Sequence, residues 1–297
     1  MVEVLEKEKI NTEQETLQIK SEEEKKSFKI LGISIWRLFA YFIIYSFLGF
    51  LIETLFGLVT KGVIESRKSF LYGPFCGIYG LGAAVMILFL QYFKKNNFSL
   101  FFGGFLIGSI VEYVVSPFGE MVLHVIWWDY SSMPFNINGR ICVAFSFFWG
   151  VLAIFLMTYC NPKVDKFISW VESKISFKTI KVALLVGIIF LLLDAIVTGF
   201  ALKMFFTRLV LEHDLDLQNT QEYIVKYTKM YENPKLKEFV NKYFSDKKML
   251  RTFPNLKVTD KDGNMIYVCD VFPEIQAEYF RVFTPKMQKF TESLLGK

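Results

Sequence analysis

The sequence predicts an all-α integral membrane protein with about five transmembrane helices, interfacial amphipathic helices and a small C-terminal extramembrane region. Three observations carry this. Hydrophobic residues make up 53% of the 297, with 33 Phe among them, and the mean hydropathy is +0.35, both high for a soluble domain. The apolar residues come in blocks of about twenty, the length a helix needs to cross a bilayer. Charge is kept between the blocks, in Lys-rich loops and a tail. The net charge of +5 therefore reads as membrane-surface polarity, and no nucleic-acid patch is evident.

The elements follow in order. Residues 1–29 form a charged extension, acidic and basic mixed. It does not have the form of a cleaved signal peptide, because the apolar run after it is too long, so the first span is expected to remain as an anchor. A polytopic helical membrane domain is expected over 30–202 and an extramembrane region over 203–297. Spans are predicted at 36–59, 74–93, 98–116, 141–160 and 180–202. Only Lys94, Lys95, Asn96 and Asn97 join the second to the third, which predicts a tight antiparallel hairpin. Pro117 and Pro162 stand where helices are expected to stop. Lysines 25, 26, 29, 94, 95, 163, 166, 174 and 178 fall on one side of the spans. That bias puts the N-terminus in the cytoplasm.

In 163–178, Val164, Phe167, Ile168, Val171 and Ile175 follow helical spacing with lysines opposite, as in a helix lying on the membrane. In 118–128, Glu120, His124 and Trp127 share a face opposite an apolar stripe. In the tail, residues 217–245 read as helical, and Asp262-Gly263 lies between two β-rich runs, a hairpin signal. Cys76, Cys142, Cys160 and Cys269 form no C-x-x-C pair, so buried thiols are expected, with no metal site and no cofactor.

Charged groups within spans are costly and usually have partners or a role. Glu53, Glu112 and Asp194 all lie late in spans that run the same way, so they approach one leaflet. Arg67 lies on that side, as do Glu120, Asp129 and Arg140 of the third connector. With Tyr72 and Tyr79 of the Gly-rich second span, and Trp127, Trp128, Tyr130 and Asn136, they make a candidate polar substrate-binding cluster. The opposite face offers only lysine-rich linkers. A plainer reading stays open: Glu53–Arg67 or Glu112–Arg140 as ion pairs sealing helix ends, with the tryptophans as an interfacial belt. Gly77, Gly80 and Gly82 either smooth a face for close helix approach or mark unwound, ligand-binding backbone. No G-x-x-x-x-G-K-[ST] occurs, so the chain carries no P-loop for ATP.

Several motifs occur in a fixed order: Gly49-x-x-x-Glu53-Thr54, Arg67, Phe70-Leu71-Tyr72-Gly73-Pro74-Phe75-Cys76-Gly77-Ile78-Tyr79-Gly80 and Glu112-Tyr113. They continue with Trp127-Trp128-Asp129-Tyr130-Ser131, Asn136, Gly139-Arg140-Ile141-Cys142 and Trp149-Gly150. Over residues 40–160 the chain thereby resembles bacterial multi-pass proteins labelled ABC-transporter type IV permeases, the CmpB-like family. Gly77 stands where that family is expected to carry proline. The resemblance implies a transporter permease-like subunit in the cell membrane, partnered by a separate ATPase subunit or another membrane subunit; it implies no particular substrate. Two alternatives stand beside it. One is an intramembrane enzyme acting on a lipid or envelope precursor through His124, Glu120 and Asp129. The other is a structural or regulatory subunit whose tail binds a partner.

Overall fold

The computed structural model describes residues 27–118, 128–213, 215–217, 227–272 and 280–281. The first described element is a two-stranded turn, β1 (Lys29–Ile30) on β2 (Ile33–Ser34). Leu31 and Gly32 between them both have positive φ, 47° and 86°, as a two-residue hairpin turn requires. Helix α1 (Ile35–Lys61) follows, stopped by Gly62 in the left-handed region, whose N–H reaches back to the Leu58 carbonyl. Strand β3 (Val63–Ile64) and an irregular segment lead to α2 (Gly77–Leu90), continued by one 3-10 turn to Phe93. Helix α3 (Asn97–Phe118) completes the expected hairpin.

The short strands β4 (Asn136–Ile137) and β5 (Ile141–Cys142) precede α4 (Val143–Phe155). A π-turn at Leu156–Cys160 joins α4 to α5 (Asn161–Lys174), and α6 (Phe177–His213) is 37 residues long. The tail adds α7 (Pro234–Tyr243), α8 (Asp246–Thr252), the hairpin β6 (Lys257–Thr259) and β7 (Met265–Tyr267), and α9 (Val268–Val271). Strand β8 (Phe280–Arg281) pairs antiparallel with β3.

Among the described residues, four helical segments are long and apolar enough to cross a membrane: Ile35–Thr60, Asn97–Pro117, Val143–Lys174 and Phe177–His213. With its predominantly helical content and few short strands, the chain is an all-α, multi-pass membrane protein. The segment Gly77–Phe93 is apolar but shorter, about 25 Å at 1.5 Å per residue. It begins later than the apolar run because residues 69–76 bond elsewhere. Gly73 has φ 71°, Ser69 N–H donates to the Phe75 carbonyl, and Cys76 N–H donates to the Ser46 carbonyl of α1.

Pro162 does not stop its helix. It sits in the first turn of α5, where a missing N–H is tolerated, and the π-turn before it absorbs the break in the ladder. The amphipathic segment after it is helical as expected, but as a continuation of the preceding span. Its Val164 and Ile168 are buried with Leu38, Tyr41, Leu90 and Met157 in the membrane-domain core.

Small residues bring α3 and α4 together. A Cβ on Gly104 would collide with Ala153, one on Gly108 with the Trp149 ring, and one on Gly150 with the Phe101 ring. Gly80 meets α1 in the same way, at Ser46 and Phe42, so helix approach accounts for it; around Gly82 there is open space. Phe102, Leu106, Ile110, Phe147, Val151, Val186 and Ile196 face outward, as lipid contact requires.

A second core lies around the end of α6. Ala201, Leu202, Phe205 and Leu209 pack with Tyr231, Val240, Phe244, Met249, Val258 and Phe272 of the tail. Arg208, 2% exposed, is held there by Asp246, the Asn241 side chain (3.1 Å) and the Phe244 carbonyl (2.8 Å). Helix α6 therefore serves both cores.

The N-terminal end of α1 carries a polar network where ordinary lysine linkers were expected. Arg37 pairs with Asp165 at 3.1 Å, Tyr41 donates to the same carboxylate at 2.5 Å, and Asn161 donates to it at 3.1 Å. This network ties α1 to α5.

Candidate functional site

The candidate residues fall into three bonded groups. The first centres on Glu53, one turn after Gly49 and one turn before Gly57 on the same face of α1. Gly49 lets the Tyr79 ring lie against α1, since a Cβ there would collide with it. Tyr79 then donates its hydroxyl to Glu53 Oε1 at 2.6 Å. Arg67 crosses Gly57, where a Cβ would come within 3.1 Å of the guanidinium. Its Nη1 lies 3.8 Å from Glu53 Oε2, whereas its Nη2 lies 2.6 Å from Glu65 Oε1. Asn255 of the tail donates to the same Glu65 oxygen at 2.9 Å. Arg67 Nε is buried and has no hydrogen-bond partner among the described residues. Glu53 is the more open acid, with its side chain 27% exposed against 3% for Glu65.

The second group fastens the Gly-rich connector to α6. Asp194, 3% exposed, accepts the Tyr72 N–H on both oxygens at 3.1 and 3.2 Å, and Thr198 donates to it at 3.3 Å. Thr198 in turn accepts the Leu71 N–H at 2.9 Å. Two consecutive backbone donors of an irregular segment are thus satisfied by two side chains one helical turn apart. Lys68 reaches the Leu71 carbonyl at 2.8 Å. The Tyr72 ring is exposed, with the Lys248 ammonium 5.1 Å from its centroid.

The third group is Glu112 with the loop before α4. Tyr130 donates to Glu112 Oε1 at 3.1 Å and stacks on Phe145 with centroids 4.4 Å apart. Burial first, and then Glu112, raise the Tyr130 hydroxyl above the usual tyrosine range, so it stays a donor. The Trp149 indole faces Glu112. Glu112 Oε2 and Trp149 Nε1 are both buried without a hydrogen-bond partner among the described residues.

The loop from 128 to 142 is held mainly by its own polar groups. Asp129 accepts from the N–H (2.9 Å) and hydroxyl (2.6 Å) of Ser131, an Asx-type turn. Asn136 donates to the Met133 carbonyl at 2.8 Å and accepts the Gly139 N–H at 3.0 Å. Trp128 donates its indole N–H to the Arg140 carbonyl at 2.9 Å. At Gly139, φ 66°, a side chain would run into Ser131 and Asp129. Asp129, Asn136 and Trp128 thus build the loop.

Glu120, His124 and Trp127 lie outside the described residues. Sequence reasoning passed over Glu65, Asn255 and Thr198. Glu65 carried a signal, an acid two residues from Arg67; Asn255 and Thr198 carried none, because folding alone brings them to the site.

Long apolar helices, with buried acids near their ends and an arginine in the connector between two of them, define a polytopic membrane protein. Residues 40–199, more than half of the chain, match the model of the family described as "Putative ABC-transporter type IV" (CmpB). The chain belongs to that family. The match takes in Glu53, Arg67, Glu112 and Asp194 and ends before the tail. No curated protein sequence and no solved structure matches the chain.

Proposed function

We propose that this protein is the permease-like membrane subunit of a transporter, and that Glu53, Arg67 and Tyr79 contact a polar substrate near one membrane face. The buried, unpartnered Nε of Arg67 is the observation that carries this reading. A buried donor without an acceptor costs about 1–3 kcal/mol. A substrate carboxylate or phosphate would recover that cost, because a guanidinium presents parallel donors to such groups. Glu53 accepts Tyr79 on one oxygen and is only loosely paired with Arg67 on the other, at 3.8 Å, so that second oxygen would hold a cationic group. The Glu112–Trp149 pair offers a second donor and acceptor in the third group. With no ATP-binding motif in the chain, ATP use would require a separate ATPase subunit, as the family name suggests.

The test has two parts. Full-length protein extracted from its own membranes in mild detergent should bring down a nucleotide-binding subunit, identified by mass spectrometry. In cells lacking the gene, the wild-type copy should restore uptake of one compound from a panel of labelled polar nutrients, and Arg67→Lys should cut that uptake about tenfold, the worth of a bidentate contact. Wild-type uptake by Arg67→Lys would remove Arg67 from the substrate site.

A further inference from the structure

Two lysines bound the apolar stretch of α6. Lys181 stands at its start, with its ammonium 5.7 Å from the Trp36 ring centroid and 4.3 Å from that of Phe177. Lys203 stands at its end and donates to the Tyr227 hydroxyl at 3.3 Å. Between them Asp194 is the only charged residue. The rise from Lys181 to Lys203 is about 33 Å at 1.5 Å per residue, close to the ~30 Å hydrocarbon core of a bilayer. Phe200, less than one turn before Lys203, therefore lies at the second boundary of the span.

From Phe200 a row of rings runs outward into the tail. Phe200 meets Phe244 with centroids 6.1 Å apart, Phe244 meets Phe239 at 5.8 Å, and Phe239 meets Tyr243 at 4.8 Å. The row begins where α6 still faces lipid, since Ile196, one turn before Phe200, is exposed. It ends on the outer face of α7. There Lys235, Glu238, Phe239, Lys242 and Tyr243 recur three and four apart, and all are exposed, whereas Leu236 and Val240 turn into the tail core. Phe239 and Tyr243 are each 45% exposed, large rings left uncovered on a short helix. Beside them an open cavity of about 580 Å³ is lined by Met230, Leu236 and Phe239 together with Lys229 and Lys235.

Water is a poor neighbour for this face, and so is hydrocarbon. Rings at the headgroup level bury their apolar bodies and keep polar tips wet. Lysine stems lie along such rings while their ammonium groups reach outward, and the Lys242 ammonium is 5.4 Å from the Tyr243 centroid. Glu238 shares the face, so it is not a plain cationic patch, and the rings supply the contact. On the other side of Phe244, the Lys248 ammonium lies 5.8 Å from its centroid and 5.1 Å from that of the exposed Tyr72 ring. The same mixture of ring and ammonium thus continues to the first connector.

We propose that the outer face of α7 rests on the bilayer surface beside α6, with Phe239 and Tyr243 in the headgroup layer and Lys235 and Lys242 reaching lipid phosphates. The lipid-facing side of α6 continues into this surface without a break, which is what selects a bilayer as its partner. The tail is then tied to the membrane at a second place besides α6 itself.

The experiment uses the full chain in nanodiscs of phosphatidylcholine and phosphatidylglycerol in equal parts. Phe239 is replaced by the photoreactive p-benzoylphenylalanine, the sample is irradiated, and the intact protein is weighed by mass spectrometry. A mass increase of one phospholipid is expected. The same replacement at Tyr267 of β7 should give no lipid adduct. Tyr267 is equally exposed and has the Lys257 ammonium 4.7 Å from its centroid, so its local chemistry is alike, but it is not part of the row of rings. Replacement at Tyr243 gives the same test should the Phe239 variant fail to fold. No lipid adduct at 239 or 243, an adduct with another polypeptide only, or equal lipid labelling at 267 would each overturn the proposal. None of these outcomes bears on the uptake test of Arg67.

Discussion

Asp194 is the deepest acid in the apolar sequence, and its bonds predict what its removal does. It accepts one backbone N–H, from Tyr72, on both oxygens, and a weaker bond from Thr198 at 3.3 Å. In Asp194→Ala the Tyr72 N–H loses its acceptor inside the protein, at a cost of about 2–3 kcal/mol. Thr198 loses less, because a helical hydroxyl can turn to the carbonyl four residues back. Asp194→Asn keeps one carbonyl oxygen toward Tyr72, so its cost should be about 1 kcal/mol or less. At about 2–4 °C per kcal/mol for a chain of this order of size, the unfolding midpoint in detergent should fall by about 4–12 °C for alanine. The asparagine variant should fall by no more than about 4 °C on the same scale. If asparagine is as damaging as alanine, the negative charge itself is what the site needs, and the reasoning from a backbone latch is wrong. If neither variant moves the midpoint, the latch carries no stability.

Two further predictions follow from the packing and the tail. Gly104→Ala puts a methyl group onto Ala153 and the Trp149 carbonyl, which should push α3 from α4 at a cost of about 1–3 kcal/mol, read as a lower unfolding midpoint; an unchanged midpoint would show that the helices yield. Tyr231, buried and donating to Glu212 at 3.0 Å, has its hydroxyl pKa raised from 10.0 to about 12, by burial first and Glu212 next. Its neutral form is the one favoured by folding, so its contribution is complete below pH 10 and is lost as pH rises toward 12. Subtracting the pH profile of Tyr231→Phe from that of the wild type should leave, on the alkaline side, a stability difference that declines through this window.

The sequence carries some of this and hides the rest for physical reasons. Apolar run length depends on composition alone, so the spans near 36–59 and 98–116 are legible within a few residues. The end of α6 is not. Lys203 and Arg208 break its hydropathy, yet Tyr227 and Asp246 satisfy them, and the helix runs on to His213. Glu53 and Arg67 could be named as partners from charge and position, but their unequal distances depend on Glu65 and Asn255. Asp129 and Asn136 look alike as ligands and as turn-formers, because a short polar side chain beside a Gly suits both. Only the turn geometry around Gly139 assigns them to the loop. Arg37 and Asp165 lie 128 residues apart, and nothing local in either segment announces the pair.

Helix α6 is about 55 Å of uninterrupted α-helix at 1.5 Å per residue. Its middle is latched to the Gly-rich connector, and its last turns are embedded in the tail core. Such a helix behaves as a shaft. Its apolar half and its last turns are one continuous helix, so the tail core is built on the same rigid element as the span. Strand β8 meanwhile returns to β3 beside the first connector. Tail and connector are thus joined by β8 on β3 and by Asn255 on Glu65, the acid that holds Arg67.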